Sequence, residues 1–175
     1  MAITADELQL RLSGGASNTD PAASIGGAMS NTPVSATALH NIFDKVTGDE
    51  SNAGDIEYRV LYIRNGNSSL TAENVKVYLS GNHDSGSQTL SGGGNDISIG
   101  LNQAVNTAAP ALTNESTQPS NVTFSQPSSR TTALDVGDLT TGQWRALYIR
   151  REIAAGAAAN DDATFEITIE ADSAE

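Results

Sequence analysis

The stretch Tyr58-Arg59-Val60-Leu61-Tyr62-Ile63-Arg64 returns further along the chain as Trp144-Arg145-Ala146-Leu147-Tyr148-Ile149-Arg150. Five of the seven positions are identical, and the other two exchange aromatic for aromatic and small apolar for small apolar. Strand alternation puts Tyr58, Val60 and Tyr62 on one face of the first copy, with Leu61 and Ile63 on the other. The second copy sets Trp144, Ala146 and Tyr148 opposite Leu147 and Ile149. A strand with one face in water alternates apolar with polar residues. These two are apolar on both faces, which predicts central strands of one sheet system, with part of their cover supplied by another chain. The separation of the copies is too long for a solenoid or propeller repeat.

Outward from this pair, further strands are expected at Asn74–Ser80, Asp96–Leu101, Asn121–Ser125, Ala133–Leu139 and Thr164–Ala171, with turn signals such as Asn65-Gly66-Asn67 between them. The spacing of Leu39, Ile42, Phe43 and Val46 predicts one short helix over residues 37–46, with residues 48–54 a loop. Near the N-terminus, Thr4-Ala5-Asp6-Glu7 has the form of a capping box, yet Leu8, Leu10 and Leu12 recur with a period of two. The two signals conflict: the first allows a short helix over about residues 5–11, and the second favours extended chain from Gln9 onward, which is the reading preferred. Residues 13–32 are almost entirely Gly, Ala, Ser, Asn and Asp, a composition that cannot form its own core and predicts a segment disordered or laid along another surface. The expected layout is an extended low-complexity N-terminal arm, residues 1–34, and a β-sandwich domain, residues 35–175.

The fold class expected is therefore all-β, an antiparallel β-sandwich of immunoglobulin-like or jelly-roll type. Leu139-Thr140-Thr141-Gly142-Gln143-Trp144 resembles the corner before the penultimate strand of immunoglobulin-like sandwiches, where an aromatic often pins the turn. The Cys–Trp–Cys framework of that family is absent, so only the architecture carries over.

Twenty-one acidic against nine basic residues give a formal net charge of −12, the reverse of what a nucleic-acid-binding domain carries. Scarce positive charge gathers in the echoed strands, as Arg59, Arg64, Arg145, Arg150 and Arg151. They are expected either to pair with cross-strand acids such as Glu57 and Glu166 or to form an interface for an acidic partner. With no cysteine there is neither a disulfide framework nor a thiolate metal site. The acidic start of the chain does not read as a signal peptide, and no stretch approaches the apolar length of a membrane helix, so synthesis in a cytoplasm is expected.

No catalytic constellation can be assembled from these residues. His83 falls in a Gly/Ser loop, and His40 reads as a partly buried residue of the expected helix. Gly92-Gly93-Gly94 lacks the Lys-Ser/Thr continuation of a phosphate loop. The acidic pairs Asp135/Asp138 and Asp161/Asp162 lack the alternating pattern of a calcium hand. No enzyme, cofactor or metal is expected.

Leu10-Arg11-Leu12-Ser13-Gly14-Gly15-Ala16-Ser17-Asn18, Gly54-Asp55-Ile56-Glu57-Tyr58-Arg59 and Ala155-Gly156-Ala157-Ala158-Ala159 together resemble small virion structural proteins of tailed bacteriophages. That resemblance implies an assembly role, foremost a capsid decoration or cement protein on the head. The alternatives are a tail, baseplate or fibre component, or a carbohydrate- or receptor-binding module. The implied partners are the major capsid protein or another virion protein and further copies of the chain, with a trimer as the expected oligomer and neither nucleic acid nor membrane bound. The expected interface consists of Leu10, Arg11, Leu12, Leu61, Ile63, Arg64, Leu147, Ile149 and Arg150.

Overall fold

In the computed structural model, which describes residues 3–80, 95–157 and 164–173, eight strands form two antiparallel sheets. They are β1 (Leu8–Ser13), β2 (Met29–Pro33), β3 (Asp55–Asn65), β4 (Ala72–Ser80), β5 (Asn95–Gly100), β6 (Leu134–Leu139), β7 (Trp144–Ile153) and β8 (Glu166–Ser173). The larger sheet has the order β2-β1-β3-β7-β5, and the smaller has β6-β4-β8. The echoed heptads are thus neighbours at the centre of the larger sheet, paired from Asp55↔Ile153 to Arg64↔Trp144. Six of the seven strands expected from the sequence form, with no end shifted by more than two residues. Asn121–Ser125 does not: it contributes a single bridge between Ser125 and Ile99.

The two faces of β3 and β7 are covered by different means. Leu61, Ile63, Leu147 and Ile149 meet Val75, Val77 and Leu79 of β4 and Val136 and Leu139 of β6 in the core between the sheets. Val60, Tyr62, Ala146 and Tyr148 point the other way and form a second cluster with Ala109, Met29, Val122, Phe124 and Trp144. That second cover, expected in part from another chain, is therefore supplied by this chain itself, from the connections at Ala109, Val122 and Phe124 and from the start of β2 at Met29. Burying one such aliphatic side chain stabilises the fold by ~1.5–3 kcal/mol.

The expected arm is likewise part of the sandwich. β1 pairs with β3 from Leu8↔Asn65 to Arg11↔Tyr62, and β2 pairs with β1. Leu12 is fully buried, with Leu8 and Leu10 packed on the same core. The alternation at Leu8, Leu10 and Leu12 was the strand signal, and the surface this segment lies along is that of its own chain. A 3₁₀ turn, Ala5–Glu7, precedes it, with the Thr4/Glu7 capping box formed.

Small residues between β1 and β2 answer to close approach. A Cβ on Gly26, at φ 108°, would lie 2.3 Å from the carbonyl oxygen of Pro110. The segment could not sit against residues 109–111 with larger side chains. Tyr62 fastens both connections at once: its hydroxyl donates to the Gly27 carbonyl and accepts from Ala109 N–H at 2.9 Å. Burial raises the pKa of that hydroxyl, which keeps it a donor.

The expected helix over residues 37–46 does not form; the segment runs as turns and bends. Ile42 and Phe43 are buried, but Leu39 is 85% exposed, so the helical spacing did not mark one face. His40, expected partly buried, is exposed with φ 54°. The single α-helix among the described residues is instead α1 (Gly48–Ala53), where a loop was expected. Its signal was present in the sequence as Thr47-Gly48-Asp49-Glu50, a capping box in which Thr47 Oγ1 accepts from Glu50 N–H at 3.3 Å.

At the corner between β6 and β7 the chain crosses from one sheet to the other. Asn65 pins it: its side-chain amide donates to the carbonyls of Leu70 and Leu139, both at 2.8 Å, and its backbone bonds Gln143 and Gly142. The corner expected from the sequence is present, held by a buried amide.

Candidate functional site

On the core-facing side of β3 and β7, beyond the leucines, lies a cluster of buried charge. Glu57 is 1% exposed and faces Arg151 across the two strands. The Arg151 guanidinium binds the Glu57 carboxylate through Nε and donates from Nη1 to the Asp44 carbonyl at 2.9 Å. Arg59, fully buried, reaches Glu115 at 2.6 Å and Asp44 at 3.4 Å. Phe43 lies beside both cations, 5.2 Å from the Arg59 guanidinium carbon and 4.6 Å from that of Arg151. The expected pairing of strand arginines with cross-strand acids thus holds for Glu57.

Asp44, Glu57 and Glu115 each place a carboxylate oxygen within 4.8 Å of the others. Such a trio could ligate a hard cation. Two guanidinium groups already bind these oxygens, so the positive charge the carboxylates require is built into the protein. Burial pushes the pKa of Glu57 up to about 7, while Arg151 and Arg59 draw it back down. The cluster clamps residues 43–44 and 115 onto the sheet.

On the opposite face, the end of β3, β7 and β5 farthest from β1 floors an open groove of about 480 Å³. Ile56, Tyr58, Arg150, Asp96 and Ser98 form its floor, and residues 118–126 form its wall. Pairing sets Tyr58 and Ser98 on either side of Arg150. The wall closes at Gly100, where a Cβ would lie 2.6 Å from Val122 and 2.7 Å from the Thr123 carbonyl oxygen. Phe124 packs on Tyr58 with ring centres 5.6 Å apart. Arg150 binds Glu152, and Gln126 donates its amide to the Ile97 carbonyl at 2.9 Å. Of these residues only Arg150 was singled out from the sequence. Phe124 was read from the sequence only as part of an expected strand, Asn121–Ser125, which forms a single bridge instead.

The structure divides the expected interface residues. Leu12, Leu61, Ile63, Leu147 and Ile149 are at most 2% exposed within this chain's own core and have no surface to offer a partner. Leu10 is partly buried against the same core. Arg11, Arg64 and Arg150 lie half-buried on the other face, where Arg11 donates to the Asn31 carbonyl at 3.0 Å and Arg64 to Gln9 at 3.1 Å. His83, Gly92–Gly94 and Asp161/Asp162 lie outside the described residues. Asp135 pairs with Lys76 at 3.2 Å, a contact that lowers its pKa.

The outer face of the smaller sheet is polar. Tyr78 donates its hydroxyl to Glu170 at 2.7 Å, and Arg130 bridges Glu170 and Asp172 at 3.1 and 2.8 Å. The Tyr78 hydroxyl and Arg130 together hold Glu170 below the usual carboxylate range. Glu73, Asp135, Asp138, Glu166, Glu170 and Asp172 outnumber Lys76 and Arg130 on these strands and their flank, so the face is acidic. No helix among the described residues is long and apolar enough to cross a membrane. No protein-family model, curated protein or solved structure matches the chain.

Proposed function

We propose that this protein is a non-enzymatic structural component of a phage virion, a decoration or cement protein seated on the outer surface of the head. The observation that supports this reading is the use made of the long connections. In many enzymes such segments present reactive groups around a cleft. Here they act as fasteners along strand edges that no neighbouring strand covers. Ser24 and Glu115 carbonyls accept from Val60 and Tyr58 N–H at 2.8 and 2.7 Å, Ser125 exchanges two bonds of 2.9 Å with Ile99, and the Pro127 carbonyl takes Leu79 N–H at 2.8 Å. Edges covered in this way resist unplanned strand pairing. A block tied down along its edges is suited to holding shell subunits together.

The charge supports the same reading. A net −12 is repelled by packaged DNA and compatible with an outer surface, where the acidic face of β6, β4 and β8 can meet basic groups of the major capsid protein. Purified protein added to heads assembled without it tests the proposal. Co-sedimentation with the heads, weakened by salt and accompanied by a higher disruption temperature, is the expected result. Binding to tails alone would move the protein to the tail or baseplate. Absence of added mass on any particle would overturn the virion reading.

A further inference from the structure

We infer that the groove floored by Ile56, Tyr58, Arg150, Asp96 and Ser98 is a binding site for a neutral saccharide. This inference does not rest on the virion reading. The groove combines an aromatic ring with closely placed donors and acceptors, the composition that a sugar's two kinds of surface require. Phe124 is half-buried and supported from behind by Tyr58, which is itself 4% exposed. Phe124 is therefore held in place while its ring still borders the groove. The negative face of an aromatic ring attracts the polarised C–H edge of a pyranose.

The polar groups point to a neutral ligand. Arg150 carries five N–H donors, of which Glu152 takes Nη2. Asp96 stands opposite Glu152 across β5 and β7. On the wall, Gln118 offers both an amide donor and a carbonyl acceptor. Vicinal sugar hydroxyls donate and accept at neighbouring positions, so this mixture can satisfy them. An anion would meet one guanidinium against two carboxylates, in a chain of net charge −12. Arg150 is already neutralised, so phosphate or sulfate gains little there.

Ser98 supplies a further group. The residue lines the groove floor and is 94% buried, and its hydroxyl finds no hydrogen-bond partner among the described residues. A buried hydroxyl without a partner is costly, and serine has a single side-chain torsion through which to seek one. A turn about that torsion toward the groove lets a sugar hydroxyl complete the bond. The wall is open on one side, which suits one unit of a longer glycan.

The test uses the isotope-labelled full-length chain, titrated separately with methyl glucoside, methyl galactoside, N-acetylglucosamine, maltotriose and sodium sulfate. Saturable amide shifts at Ile56, Asp96, Ser98, Phe124 and Arg150 are expected with at least one sugar and not with sulfate. Gln118→Ala, at an exposed position that leaves folding intact, weakens that binding roughly three- to tenfold, as loss of one hydrogen bond requires. Phe124→Ala abolishes it while leaving the amide pattern of β4 and β8 unchanged. Three results would each overturn the assignment: no shifts with any of these sugars, shifts located on another face, or a stronger response to sulfate.

Discussion

Leu61 and Leu147, the middle residues of the two echoed heptads, lie directly opposite each other in the register of β3 and β7. Antiparallel pairing through that point makes each copy the local mirror of the other in pairing order: Tyr58 faces Arg150 and Trp144 faces Arg64, while Arg59 faces Ile149 and Arg145 faces Ile63. A local twofold axis therefore passes between the leucines. Equivalent residues share a face but not an environment. Arg59 is buried beside Phe43, whereas Arg145 bonds the carbonyls of Gln103, Asp135 and Val136 at 2.8–2.9 Å.

The first prediction separates the arginines by face. Arg64→Ala with Arg150→Ala removes half-exposed partners of Gln9 and Glu152, and each loss costs ~0–1 kcal/mol. Above pH 7, where Glu57 is ionised, Arg151→Ala leaves that buried charge without its partner, at a cost of ~3–5 kcal/mol. Urea denaturation of the double and single variants should show a small and a large drop in midpoint respectively. Equal drops would mean the buried cluster contributes no more than the surface pairs.

Truncation gives the second. Removing residues 1–34 takes away β1 and β2 and uncovers the edge of β3 over Tyr62–Asn65. Leu12 alone, replaced by Ala, is expected to cost ~2–5 kcal/mol. The truncated chain should lose cooperative thermal unfolding or aggregate. A soluble truncated protein with an undiminished melting temperature would make the segment a dispensable tail after all.

What the sequence made legible follows from period. Residues alternating with period two, such as Val75/Val77/Leu79 and Ile97/Ile99, became strands because one face of each is apolar throughout. The cover over Tyr62 and Ala146 was illegible because it comes from scattered positions: Ala109 in a connection, Met29 at the start of β2, and Val122 in a segment that was expected to pair as a strand. Leu39, Ile42, Phe43 and Val46 matched a helical face by spacing alone. Phe43 is drawn instead toward Arg59 and Arg151, a tertiary contact that overrides a short local pattern. The interface residues were misplaced for a related reason: a strand apolar on both faces shows that cover is needed, and does not show which chain provides it.

The third prediction concerns Tyr62. Tyr62→Phe keeps the packing against Trp144, whose ring centre is 4.8 Å away, and removes the hydroxyl shared by Gly27 and Ala109. Leaving those buried groups short of a partner costs ~1–3 kcal/mol. Amide hydrogen exchange should quicken at Gly27 and Ala109 more than at Val77 in the distant sheet. Uniform acceleration would show that the hydroxyl stabilises the whole domain and not these two connections in particular.

The last prediction is a pH dependence set by Glu57. Its pKa stands at about 7 in the folded protein, raised by burial above an ordinary value of 4.5. Between these two values the folded state holds more protons at this site than the unfolded state, so stability falls as pH rises through the window. The contribution is fully present below pH 4.5 and lost by about pH 7, an effect on the order of 3 kcal/mol. Glu57→Gln has the same shape and cannot ionise, so it removes this slope and leaves the other groups in place. Melting temperatures of both proteins measured across the window isolate the site. The wild type should lose ground to Glu57→Gln as pH increases. If it gains ground instead, the attraction of Arg151 for the ionised carboxylate outweighs the cost of burial, and Glu57 is charged throughout.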